Sequence, residues 1–217
     1  MLKAIIFDMD GVLVNSTKYN KESQCIILKE HGVYISDEEY KKYLGRSLKD
    51  ILKMWEAKYN IELPFEEFRK RNLEIQIELM KEELKPKLYI SNFLKGAHKV
   101  GIKVAVATSS TRFRTELFLK LLEIKDVFDV IVCAEDVSTH KPNPEVFLKT
   151  AERLGVEPKN CVVIEDAANG IQAAKSAGMK AVGLINEFHT AEELSQADLV
   201  INSLEELKTL NKLDVLF

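Results

Sequence analysis

The chain has 217 residues, 46% hydrophobic and 30% charged, with 31 Lys and Arg against 34 Asp and Glu for a formal charge of −3. This length and composition suit a soluble globular protein with one good core and room for one small satellite domain. There is no basic field for nucleic acid, no apolar run long enough for a bilayer and no signal peptide ahead of the first strand, so the sequence predicts a cytoplasmic protein without nucleic-acid or membrane partners. Cys25, Cys133 and Cys161 lack metal-like spacing and read as small buried hydrophobes in a reducing compartment. His31, His98, His140 and His189 form no cluster, and zinc is not expected.

The first element is the run Ala4-Ile5-Ile6-Phe7, which reads as a strand buried on both faces and leads directly into Asp8-Met9-Asp10-Gly11. Helical periodicity then governs about seventy residues. A helix near Lys18–Glu30 is expected to bury Cys25, Ile26 and Leu28 or their neighbours and to stop at Gly32. Ser36 and Glu39 suggest a capping box for a short helix ending at Gly45. Ser47 is placed to cap a third helix carrying Leu48, Ile51, Leu52, Trp55 and Tyr59. Pro64 opens a fourth, with the stripe Leu73, Ile77, Met80 and Leu84. Four amphipathic helices between two strands of one sheet predict an inserted bundle over 16–85, hinged near 15–17 and 85–87.

From residue 86 the chain alternates. Helices are predicted near Ser91–Val100, Arg114–Ile124, Pro144–Leu154 and from Ala167 to Gly178. Strands are predicted at Val104–Thr108, Val130–Cys133, Cys161–Asp166, Ala181–Leu184 and Leu199–Ile201. This alternation predicts an α/β protein with a Rossmann-like doubly wound parallel sheet, its core formed by 1–15 and 86–217. Ligands of such sheets sit beyond the carboxyl ends of the strands, which is where Asp8, Asp10, Thr108-Ser109-Ser110, Lys141 and Glu165-Asp166 fall.

Asp-x-Asp-Gly-Val-Leu-Val at residues 8–14, Thr108-Ser109-Ser110, Lys141 within His-Lys-Pro-Asn-Pro-Glu, and Glu165-Asp166 resemble, in order, the four motifs of the haloacid dehalogenase-like hydrolases. The likeness is to their phosphatase and phosphomutase branch and covers roughly 1–15 and 85–185. Phosphate-monoester hydrolysis is among the slowest uncatalysed reactions, and its catalysis needs an aligned nucleophile, cations around the transferring oxygens and a proton for the leaving alkoxide. The resemblance implies that Asp8 is the nucleophile, forming an aspartyl-phosphate, and that Asp10 protonates the leaving oxygen and then takes a proton from water. Thr108 and nearby backbone N–H groups, with Ser109 and Ser110, would hold phosphate oxygens, and Lys141 would neutralise charge on Asp8 and the phosphoryl group. Asp166, Asp8 and the backbone carbonyl of Asp10 would bind a metal, assisted by Glu165. Two carboxylates about 4 Å apart repel by roughly 4 kcal/mol at an effective dielectric of about 20. One lysine does not offset several such pairs, and an all-oxygen donor set points to Mg²⁺.

The inserted bundle resembles the helical cap of this family, which closes over the site. Gly45, Arg46 and Ser47 stand where the family's cap presents its specificity loop, so they and Asn20 are candidates for substrate binding. Arg112 and Arg114 are further candidates, and could equally be exposed helix residues. Beta-phosphoglucomutases carry a cap His and a cap Arg where this chain has Asn20 and Leu48, departures that favour hydrolysis over phosphoryl return. The expectation is a monomeric, Mg²⁺-dependent phosphomonoesterase acting on a small phosphorylated metabolite such as a sugar phosphate. The alternatives are a phosphomutase and, more remotely, a receiver-like or phosphate-binding interaction module.

Overall fold

The computed structural model of the protein describes residues 1–43, 48–83, 88–186, 189–207 and 211–217. Among these, six strands form one sheet: β1 (Ala4–Phe7), β2 (Lys103–Ala107), β3 (Val130–Val132), β4 (Cys161–Glu165), β5 (Lys180–Leu184) and β6 (Leu199–Ile201). The helices are α1 (Ser16–Glu30), α2 (Asp37–Tyr40), α3 (Leu48–Tyr59), α4 (Phe65–Glu83), α5 (Leu88–Lys99), α6 (Arg112–Leu121), α7 (Glu145–Leu154), α8 (Ala168–Ser176) and α9 (Asn211–Asp214). Internal contacts divide the chain into two compact units, Met1–Asn15 with Lys85–Phe217, and Ser16–Leu84.

All strand pairs are parallel, in the order β3-β2-β1-β4-β5-β6. The direction of winding reverses at β1, which pairs with β2 on one side and β4 on the other. Every residue of β1 and β4 is buried, whereas the edge strands β3 and β6 are half-buried. Helices on both faces of a parallel sheet explain why the central strands read as unbroken apolar runs rather than alternating ones. Ala4 and Ile6 join a cluster with Val146, Phe147 and Leu154 of α7 and Ile171 and Ala174 of α8. Phe7 meets Phe93 of α5 and Phe128 edge-on, at 6.3 and 6.0 Å between ring centroids.

The helical unit has its own core, in which the fully buried Trp55 ring lies 5.4 Å from Tyr43 and 6.2 Å from Phe68. Several details differ from the periodicity reading. In α1 the buried apolar pair is Ile27 and Leu28, while Cys25 is half-buried and Ile26 exposed. In α4 the buried face carries Asn72, Ile75, Gln76 and Met80, and Leu73 and Ile77 lie beside it. The polar residues are accepted there because α1 supplies partners: Ser23 donates to Asn72 Oδ1 at 2.7 Å, and Gln76 donates to Asn20 Oδ1 at 2.7 Å. Ser36 does cap α2 by accepting from the Glu39 N–H. The carboxylate of Glu39 turns instead to Tyr43, Tyr59 and Lys58, so the reciprocal half of the capping box is missing. Helix α6 begins at Arg112 rather than Arg114. Residues 84–87, which include the second expected hinge, lie outside the described residues. Replacing a core aromatic by Ala costs about 3–5 kcal/mol. Trp55→Ala is therefore expected to speed amide exchange in peptides from residues 16–83 while β1, β2 and β4 stay protected, as read by mass spectrometry.

Candidate active site

The order β2-β1-β4 at the centre of the sheet sets the ends of these strands side by side, and the polar groups following them converge. Asp8 follows β1, and its N–H continues the ladder by donating to Ile164 O at 2.9 Å. The chain then turns back: Leu13 and Val14 both donate to Met9 O, and Gly11 donates to Val14 O at 2.7 Å. Gly11 has φ +82°, and a Cβ there would lie 1.7 Å from Asp166 Oδ2, so both conformation and space demand glycine. That clash distance also locates Asp166 directly against the Asp10–Gly11 turn.

Lys141 reaches the centre of this cluster. Its Nζ donates to Asp8 Oδ1 at 2.5 Å, to Glu165 Oε1 at 2.8 Å and to Ala107 O at 3.3 Å. The Phe147 ring lies 4.8 Å from it, and the side chain is only 6% exposed. Burial alone would lower the Lys141 pKa, but attraction to Asp8 and Glu165 outweighs it and holds the ammonium charged. For Asp8, burial is the largest influence and raises the pKa to about 7; Glu165 and Asp10 add to it, against the pull of Lys141. Asp166 is raised to about 8 by burial and by repulsion from Glu165, Asp8 and Asp10. Asn186, just past β5, donates to Asp166 Oδ2 at 2.8 Å.

The other expected residues separate into distinct tasks. Both oxygens of Glu165 have protein donors: Oε1 accepts from Lys141, and Oε2 accepts from the N–H groups of Asp166 and Ala167 at 2.8 and 2.9 Å. Gly170 makes room for it, since a Cβ there would lie 1.8 Å from Oε1. Thr108, 1% exposed at the end of β2, accepts from the Ser110 N–H at 3.0 Å, and Ser109 is exposed. Ser110, expected to bind phosphate, directs its hydroxyl to Asp10 Oδ2 at 2.5 Å. The Asp10 carboxylate also pairs with Arg114, and the group of Asp10 that the resemblance assigns to a metal is its backbone carbonyl. Arg112 is held elsewhere, by Glu116 and Asp136. Asn20 accepts from Gln76 within the helical unit, and Leu48 packs on that unit's apolar core. Gly45, Arg46 and Ser47 lie outside the described residues.

Among the described residues no three His, Cys, Asp or Glu side chains could by themselves hold a metal ion. The donors available to a cation are the carboxylates of Asp8 and Asp166 and the Asp10 carbonyl. That set fits an ion that keeps several waters and shares phosphate oxygens. The upward shifts of Asp8 and Asp166 come first from burial and then from repulsion among the clustered carboxylates, a repulsion that a cation would relieve. Arg114, Asn186 and Gly170 were not assigned these tasks from the sequence. Asn186 lies near the carboxyl end of a strand, a position that could have marked it; nothing in the sequence ties Arg114 to Asp10 or Gly170 to Glu165.

Residues 5–184 match the family model described as haloacid dehalogenase-like hydrolase. The chain is similar to the phosphorylated carbohydrates phosphatase of Thermotoga maritima, with 30% identity over 92% of this chain and 93% of that protein. It is also similar to hexitol phosphatase B of Escherichia coli, with 31% identity over 94% and 93% of the two chains. Among solved structures it resembles beta-phosphoglucomutase from Clostridium difficile, with a TM-score of 0.79 and 30% identity over 99% of this chain and 96% of that one.

A carboxyl group whose pKa is higher folded than unfolded binds more protons in the native state between the two values. Its contribution to stability therefore falls as pH rises through that window. For Asp166 the window runs from 3.8 to about 8. In metal-free buffer, Asp166→Asn is expected to gain stability relative to the parent progressively between about pH 4 and pH 8, measured as the difference in urea midpoints.

Proposed function

The chain belongs to the haloacid dehalogenase-like hydrolase family and is a phosphatase, and we propose that it hydrolyses the monoester of a small phosphorylated carbohydrate through an aspartyl-phosphate on Asp8. The observation that carries this reading is the buried Lys141 ammonium bridging Asp8 and Glu165 beside Asp166. Lys141 holds Asp8 through Oδ1 and leaves the second oxygen to attack phosphorus, its charge favouring the ionised carboxylate against the burial that raises the Asp8 pKa. The P–O bond to the sugar breaks as the bond to Asp8 forms, and Asp10 gives its proton to the departing oxygen. Asp10 then takes a proton from water as that water attacks the aspartyl-phosphate, which frees phosphate and restores Asp8. Thr108 stands at the end of β2 to hold a phosphoryl oxygen. Asp8, Asp166 and the Asp10 carbonyl are the groups that would hold Mg²⁺, with Asn186 orienting Asp166. A bound Mg²⁺ supplies positive charge to the phosphoryl oxygens and relieves the repulsion between the two carboxylates.

The names of the relatives support a carbohydrate phosphate as substrate. Selection among such substrates is assigned to the helical unit, with Arg46, Ser47 and the half-buried Asn20 as its proposed contacts. Phosphomutase activity is the second reading, favoured by the likeness to a beta-phosphoglucomutase structure. Against it, Asn20 cannot ionise, and Leu48 is committed to a hydrophobic core.

A panel of hexose, hexitol, pentose, glycerol, nucleoside and glycolate phosphates, assayed for free phosphate with Mg²⁺ and with excess chelator, tests the proposal. Release is expected on a carbohydrate phosphate, lost in chelator and restored by Mg²⁺. Full activity in chelator would remove the metal from the reading, and conversion of hexose 1-phosphate to hexose 6-phosphate without free phosphate would replace hydrolysis by the mutase. Asp8→Asn is expected to lower turnover at least about 1,000-fold with unchanged circular dichroism, because it deletes the nucleophile itself.

A further inference from the structure

Helix α6 leaves the Thr108–Thr111 loop, and its third residue, Arg114, is only 16% exposed at the side chain. The guanidinium lies 4.7 Å from the ring of Phe118, one turn further along the same helix, and that ring is fully buried. Stacking on a fixed ring restricts a side chain that would otherwise sample many rotamers. From this seat Nη1 stands 2.7 Å from Asp10 Oδ1 and donates to Ser110 Oγ at 2.5 Å. The Ser110 hydroxyl in turn donates to Asp10 Oδ2 at 2.5 Å, so one oxygen of the carboxylate is hydrogen-bonded by Ser110 and the other is ion-paired with Arg114. Asp10 itself sits on a tight turn, with its side chain 30% exposed.

We propose that Arg114, acting with Ser110, is a positioning residue that fixes the Asp10 carboxyl group in the orientation from which it exchanges a proton with the leaving oxygen. The inference rests on the reading of Asp10 as the acid–base group. Arg114 itself touches neither phosphorus nor the attacking oxygen. Its work is geometric, and proton transfer requires hydrogen-bond reach between Asp10 and the ester oxygen. Arg112 does not share the task, since residues two apart on a helix do not face each other and Arg112 is engaged by Glu116 and Asp136.

The test compares kcat/KM for two substrates in Arg114→Met, Arg114→Lys and Asp10→Asn. One is p-nitrophenyl phosphate, whose leaving group departs without a proton; the other is the hexose or hexitol phosphate turned over fastest in the panel. A misplaced acid costs about 100-fold where its proton is needed, so Arg114→Met is expected to lose about that much on the carbohydrate phosphate and less than about 5-fold on the aryl ester. KM is expected to stay within about 3-fold, and Arg114→Lys to recover part of the loss, because its ammonium keeps the charge but not the planar group that stacks on Phe118. Equal losses on both substrates would reduce Arg114 to a structural residue. A raised KM with unchanged kcat would make it a substrate ligand instead. Asp10→Asn separates the two layers of the argument. If it fails to discriminate between the substrates, the acid–base reading of Asp10 falls; if it discriminates and Arg114→Met does not, the positioning proposal falls alone.

Discussion

A lysine ammonium buried between two carboxylates is the contact around which the rest of the sheet unit is arranged. Lys141 bridges the residue that follows β1 and the last residue of β4, so a single charge ties together the two strands at the switch in winding direction. Taking three ions out of water carries a desolvation cost of several kcal/mol per ion, and the fold meets it with close geometry and extra donors. Glu165 accepts two backbone N–H groups besides Lys141, and the site opposite Gly170 has no Cβ to obstruct it. Burial first, and then repulsion among the neighbouring carboxylates, raises the pKa of both Asp8 and Asp166 against the pull of Lys141. A site that leaves its carboxylates in want of positive charge is ready for a cation and for the phosphoryl group that would arrive with it.

The same economy of partners divides the carboxylates by task. Asp8 faces the lysine, Glu165 is fully occupied as a bracket, Asp166 is steadied by Asn186, and Asp10 is drawn to Ser110 and Arg114. Four acids close together in sequence pairs acquire four different environments because each strand end points its side chain into a different set of neighbours. Separating the environments of neighbouring carboxyl groups is how one site keeps a nucleophile distinct from a proton donor.

The helical unit follows a different rule. Its core is aromatic around Trp55, but α1 and α4 also carry Ser23, Gln24, Asn72 and Gln76 buried at 7% exposure or less. Hydrogen bonds between side chains make this tolerable, including Tyr40 to Gln24 as well as the pairs to Asn72 and Gln76. A hydrophobic-periodicity reading assigns such amides to the solvent face, and so it displaced the buried stripe of α4 to Leu73 and Ile77. Burial of a polar side chain depends on a partner that lies about fifty residues away, which no local window contains.

Local chemistry fixed a good deal in advance. Unbroken apolar runs ending in Asp8, Thr108 and Glu165-Asp166 marked buried parallel strands and their functional ends, because only a strand covered on both faces is apolar throughout. The glycine after Asp10 marked the turn, since its φ of +82° and the nearness of Asp166 leave no space for a side chain. Tertiary structure decided who pairs with whom. That Arg114 rather than Arg112 meets Asp10, that Ser110 donates to Asp10, and that Glu165 accepts from Lys141 all depend on distances between chain segments brought together by the strand order. Residue type and spacing state which charges must be answered; only packing determines which neighbour answers them, because a hydrogen bond or ion pair is decided over a few ångströms and the sequence carries no such measure.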